Sequence, residues 1–139
     1  MFDMKTRSGV TWEKGHYMSK RQLDYFYNKL IALKAELENT VRKSLLKMKA
    51  SDTHPIEEFE RSALAIDRDI EIQTQAINWS LIQRIDQALE RINDGSYGYC
   101  LETEEPIGIE RLEANPLSIF CLTVQEQYEI SEKQRITRI

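Results

Sequence analysis

The residues best suited to chemistry in this 139-residue chain are two cysteines and a pair of glutamates. Cys100-Leu-Glu-Thr103 and Cys121-Leu-Thr-Val124 have the spacing of two metal knuckles. A zinc ribbon uses two Cys-x-x-Cys pairs about 15–20 residues apart, so that four donors close a tetrahedron around the ion. Here Thr103 and Val124 occupy the second place of each knuckle. Valine carries no donor, and a threonine hydroxyl is a poor zinc ligand. His54 cannot complete the set, because helix rise puts it roughly 50 Å from the knuckles. Nothing in the sequence positions His16. The expectation is a knuckle fold without metal, in which Cys100, Thr103, Cys121 and Val124 are vestigial positions. Apolar packing by Tyr97, Tyr99, Ile107, Ile109, Leu112, Leu117, Ile119, Phe120, Leu122 and Val124 would hold it.

Glu57 and Glu60 stand one helical turn apart, a spacing that can pair two carboxylates. General acid–base work also needs a pocket that drives their pKa values apart. A solvated helix tip offers none. The chain has no glycine-rich phosphate loop and no Ser/His/Asp or Cys/His set able to meet. These absences point away from an enzyme.

The elements that position these residues are helical. Ser19-Lys-Arg-Gln22 fits a capping box. Apolar residues then recur at Leu23, Phe26, Leu30, Leu33, Leu37, Val41, Leu45 and Met48, in steps of three or four. A second arm repeats the pattern at Ile56, Phe59, Ala63, Ile66, Ile70, Ile77, Leu81, Ile85, Ala88 and Ile92. Gln73 and Thr74 interrupt it where an apolar residue is due. Gly95 suits a left-handed helix end. Neither stripe can be buried alone, so residues 19–93 are expected to pair as an antiparallel coiled-coil hairpin with its tip near 50–62. Residues 1–18 form either a leader lying against the body, with Trp12 or Tyr17 as its anchor, or a frayed tail. Residues 94–139 form a small knuckle head with a C-terminal helix that turns Val124, Tyr128 and Ile130 inward. Trp79 lies off the seam and is expected to pack on the head or leader. The fold class is mainly α.

Charge separates the arms. Residues 20–49 carry eight Lys/Arg against three Asp/Glu, whereas residues 52–71 carry two against seven. Opposite signs favour antiparallel pairing, and acidic residues crowd the tip. The overall charge of −4 speaks against a general nucleic-acid binder, which needs a basic field. No apolar run is long enough to span a membrane, and Met1-Phe-Asp-Met-Lys5 lacks a signal-peptide core. A cytoplasmic location is expected, where two cysteines do not make a disulfide framework.

Several stretches together resemble the DksA/TraR family of bacterial RNA polymerase-binding transcription factors. They are Tyr17-Met18 with Gln22-Leu23 and Phe26, then Ser96-Tyr-Gly-Tyr-Cys100, then Glu105-Pro-Ile-Gly-Ile-Glu-Arg-Leu-Glu-Ala-Asn-Pro116. The likeness runs from about residue 16 to 135. The half-lost cysteine set is similar to that of the zinc-independent members. The resemblance implies a monomeric regulator that inserts its coiled coil into the secondary channel of RNA polymerase without binding DNA. Glu57, Glu60, Arg61 and Ser62 would form the acting tip, with glutamates where the family has aspartates. It also implies a site for guanosine tetraphosphate at Leu81, Arg84, Asn115 and Gln125. Asn115 and Gln125 stand where basic residues would meet phosphate, so a weak or absent alarmone response is expected. Two other readings are a diverged paralogue competing for the same channel and a coiled-coil adaptor with a non-polymerase partner.

Overall fold

The computed structural model describes residues 4–5, 11–12, 17–51 and 58–138. Its order is β1 (Met4–Lys5), β2 (Thr11–Trp12), α1 (Lys20–Ser51), α2 (Glu58–Asp94), α3 (Ile109–Ala114) and α4 (Leu122–Thr137). The two short strands pair antiparallel, Met4 opposite Trp12 and Lys5 opposite Thr11. The chain divides into two compact units, one of residues 30–87 and one of residues 1–29 with 88–139. Helices α1 and α2 contribute residues to both.

The start of α1 is a capping box. Gln22 N–H donates to Ser19 Oγ at 3.4 Å, and Ser19 N–H donates to Gln22 Oε1 at 3.2 Å. Two donors that the first turn leaves orphaned are thereby satisfied. At the end of α2, Gly95 adopts φ +86°, and the N–H groups of Gly95, Ser96 and Tyr97 all turn back to Arg91 O at 3.0–3.1 Å. The carboxylate of Asp94 accepts from the Ser96 hydroxyl and N–H, which lowers its pKa.

In the 30–87 unit the helices run antiparallel. Lys34 meets Asp86 at 2.7 Å, Ser44 meets Glu71 and Gln75, and Met48 meets Gln75. The α2 number falls as the α1 number rises. Leu30, Val41, Ile82 and Ile85 are the buried apolar residues among those described in this unit.

The stripe expected for α2 requires correction. Ile66, Ile70 and Ile77 are 63%, 57% and 62% exposed. The buried Ile82 and Ile85 set the phase of the helix. Stepping back from them in a coiled-coil repeat of 3.5 residues per turn reaches Asn78, Gln75 and Glu71, which are half-buried. The interface therefore passes through polar residues that Ser44 and Met48 satisfy. Gln73 and Thr74 lie off it and are exposed, and Thr74 returns its hydroxyl to Ile70 O at 2.9 Å. On α1 the same phase leaves Leu45 exposed and puts Ser44 in its place. Trp79 is 53% exposed rather than packed, because it too lies off the stripe that Ile82 and Ile85 define.

The other unit has a denser core. Phe26 and Leu112 are fully buried and Tyr97 nearly so, with Met18, Ile107, Ile109, Leu117, Cys100, Cys121 and Val124 around them. Phe26 and Tyr97 lie ring to ring at 5.7 Å. Helix α3 supplies Ile109 and Leu112 to this core. Helix α4 supplies only Val124. Leu122, Tyr128 and Ile130 are exposed, contrary to the inward placement their sequence suggests, because α4 packs only through its first turn and its residues 126–137 are all exposed.

Candidate functional site

The two knuckles meet in one small cluster. Cys100, Cys121 and Val124 pack together with Phe120 against them. Tight turns aim the backbone at the sulfurs. Glu104 sits at φ +59°, Cys100 N–H donates to Glu105 O at 2.8 Å, and Glu104 N–H donates to Cys100 O at 2.9 Å. Tyr99 and Pro106 form an isolated antiparallel bridge that closes this loop.

Thr103 has a definite task in the cluster. Its hydroxyl lies 3.8 Å from Cys121 Sγ and also hydrogen-bonds to Cys100. Burial pushes the Cys100 thiol up. The Thr103 hydroxyl and the N–H groups of Cys121, Thr103 and Glu102 outweigh this and bring it down to about 6. The donors of a metal knuckle thus stabilise a sulfur anion directly.

This donor set does not fit a structural zinc ion. It offers two sulfurs and one hydroxyl, and the fourth corner is the buried methyl groups of Val124. No three His, Cys, Asp or Glu side chains among the described residues gather where they could hold a metal. Both histidines, His16 and His54, lie outside the described residues.

A second constellation was not foreseen from the sequence. Glu113 of α3 accepts from Tyr25 Oη at 2.6 Å and from Lys29 Nζ at 3.0 Å, and Lys29 also donates to Glu113 O at 2.9 Å. The Glu113 side chain is 9% exposed, so this is a carboxylate clasp between α3 and the first turns of α1. The spacing of Tyr25 and Lys29, one turn apart on α1, was its only sequence signal. Tyr17 is a further clasp: its hydroxyl donates to Gly98 O at 2.7 Å and accepts from Gly108 N–H at 2.9 Å. Burial raises its pKa. Gly98, at φ +87°, leaves room for Met18, whose sulfur would stand 2.8 Å from any Cβ added there.

The expected tip residues are partly visible. Glu60, Arg61 and Ser62 are exposed on the first turns of α2, and Glu57 lies outside the described residues. The four expected nucleotide-site residues are divided between the units. Leu81, half-buried, and Arg84, exposed, belong to the 30–87 unit. In the other unit, the exposed Asn115 accepts from Leu117 N–H at 3.1 Å, and Gln125 donates to Glu129 at 3.2 Å.

Comparison with known proteins places this architecture. Residues 22–92 match the family model described as DnaK suppressor protein DksA, N-terminal domain, and residues 95–129 match the prokaryotic dksA/traR C4-type zinc finger. The chain is 40% identical over 117 residues to the RNA polymerase-binding transcription factor DksA of Caulobacter vibrioides, covering 84% of this chain and 82% of that one. It is 30% identical over 118 residues to the protein of the same name from Escherichia coli K12, covering 85% and 78%. Among solved structures, transcription factor DksA2 from Pseudomonas aeruginosa superposes with a TM-score of 0.79 at 30% identity, covering 84% of this chain and 90% of that one. With matched models on both helical arms and head, and relatives aligned over most of their length, the chain belongs to the DksA/TraR family.

Proposed function

We propose that this protein is a transcription regulator that binds RNA polymerase. The observation that carries this reading is the 40% identity, over most of both chains, to a relative named for RNA polymerase binding. In this reading the α1–α2 hairpin enters the secondary channel of the polymerase and presents Glu57, Glu60, Arg61 and Ser62 near the active centre. The protein acts there as a monomer in the cytoplasm, without contacting DNA and without catalysing a reaction. Its net charge of −4 supports the absence of a general DNA-binding surface. No helix among the described residues is long and apolar enough to cross a membrane.

The head works without zinc in this reading. The support is chemical: a valine at one ligand corner, and N–H and O–H donors that stabilise the Cys100 sulfur without a cation. In this reading the response to guanosine tetraphosphate is weak or absent. Asn115 and Gln125 are neutral, so neither can form the ion pair with phosphate that a basic residue would.

The test is co-purification with core RNA polymerase, with intact protein and a Glu57→Ala/Glu60→Ala variant compared in one open-complex lifetime assay. Both should bind, and only the intact protein should change the lifetime. Failure of the intact protein to bind polymerase overturns the reading. Equal effects of the two proteins on lifetime overturn the role of the tip.

A further inference from the structure

Helix α2 carries two coiled-coil stripes, and among the described residues only one of them is packed against the rest of the protein. The used stripe passes through Glu71, Gln75, Asn78, Ile82 and Ile85. The second comprises Ala63, Ile66, Ile70, Gln73 and Ile77, which alternate steps of three and four residues. This is the strict heptad spacing that lets a helix bury a seam against a partner helix. It lies on nearly the opposite side of α2, and all five residues are exposed. Burying the isoleucines would remove a largely apolar strip from water, whereas the residues facing α1 between Glu71 and Asn78 are polar.

Charge selects the occupant. In this heptad frame the flanking rows are Glu60, Asp67 and Thr74 on one side and Ser62, Asp69 and Ala76 on the other, all exposed, so every charge in them is negative. Arg61 and Arg68 fall at the position farthest from the stripe. A second copy of the same stripe would gather these carboxylates with no cation in either flanking row to offset them, which disfavours self-pairing. We infer that the outer face of α2 between Ala63 and Ile77 is a docking surface for a partner protein's amphipathic helix with an apolar seam and flanking Lys/Arg residues. Such a helix would place aliphatic side chains over Ile66, Ile70 and Ile77 and its cations beside Glu60, Asp67 and Asp69. Gln73, the one polar residue in the stripe, would fix the register, as single polar seam positions do in coiled coils. The inference does not rest on the transcription reading, because the docking can be measured with no polymerase present.

The probes are two synthetic helices of about three heptads with Leu and Ile at the seam positions, one flanked by Lys and the other by Glu. Fluorescence anisotropy with the full chain should show the Lys helix binding at least ~10-fold more tightly than the Glu helix. An Ile66→Ser/Ile70→Ser/Ile77→Ser variant should keep its helix content and melting temperature and lose at least ~10-fold in affinity for the Lys helix. Asp67→Lys/Asp69→Lys should reverse the preference. Three results overturn the inference. One is equal or absent binding of the two helices. Another is a triple-serine variant that melts early, which would show the stripe to be packed internally. The third is a dimer of the intact chain, seen by sedimentation and lost in the triple-serine variant, which would make a second copy the occupant.

Discussion

The two units solve the same packing problem in opposite ways. In the unit of residues 1–29 with 88–139, large apolar side chains are inside: Phe26, Tyr97 and Leu112 are all but inaccessible. Their polar atoms are accounted for, as when Tyr97 Oη donates to Pro116 O at 2.8 Å. In the unit of residues 30–87, a polar layer of Ser44, Glu71 and Gln75 occupies the helix interface while three isoleucines face outward. The first arrangement gains from apolar burial and defines one conformation. The second gives up part of that gain, and what remains exposed is available to something else. Folding stability is thereby concentrated in the unit of residues 1–29 with 88–139.

The comparison would be broken most directly in the head. Leu112→Ala should cost about 3 kcal/mol, through lost burial and the cavity left behind, and lower the thermal midpoint by many degrees. A mild effect would mean that the head is no more tightly packed than the hairpin. Glu113→Ala comes next, at about 2 kcal/mol. It removes the carboxylate to which both Tyr25 and Lys29 donate, and the cost is held down because Lys29 keeps its bond to Glu113 O and is about one-third exposed. Urea denaturation followed by near-ultraviolet circular dichroism would read the head in both cases.

The hairpin should respond with the opposite sign. Glu71→Leu combined with Gln75→Leu replaces the carboxylate and amide of the polar layer by apolar contact, leaves Ser44 able to bond its own helix backbone, and should stabilise the protein by about 1 kcal/mol. It should also loosen the register that the polar layer specifies. A destabilised double variant would show that the layer is a net source of stability.

The head further predicts a pH dependence of defined direction. The Cys100 pKa is lowered in the fold from 9.0 to about 6. Its contribution to stability is therefore present in full above the unfolded value and is lost as pH falls through about 6. Chelator-treated protein should melt at progressively lower temperature from pH 9 to pH 6, and Cys100→Ser should flatten that slope. If chelation alone unfolds the protein at pH 8, a metal rather than this hydrogen-bond set holds the knuckles.

Much of this molecule was legible in its residues. Ser19 and Gln22 announced the start of α1, Gly95 the end of α2, and the order of apolar side chains the two long helices. The knuckle spacing and the Tyr97-Gly-Tyr-Cys100 stretch pointed to the family. These are local signals: caps, turns and periods depend on neighbours within a few residues, so they can be read along the chain. Which face of α2 turns inward could not be read that way. Two stripes of similar quality share that helix, and hydrophobic period alone favours the one that ends up outside. The choice is made by Ile82 and Ile85, which fix the rotation of a continuous helix, and by Ser44 and Met48, which satisfy the polar residues that rotation brings in. The Glu113 clasp and the bridging role of Thr103 are likewise tertiary, since their partners are many residues away. Sequence determined the elements and their ends because those are set by short-range sterics and hydrogen bonding. Only the tertiary structure decided the phase of α2 and the chemistry of the knuckles, because each depends on which distant side chain stands opposite.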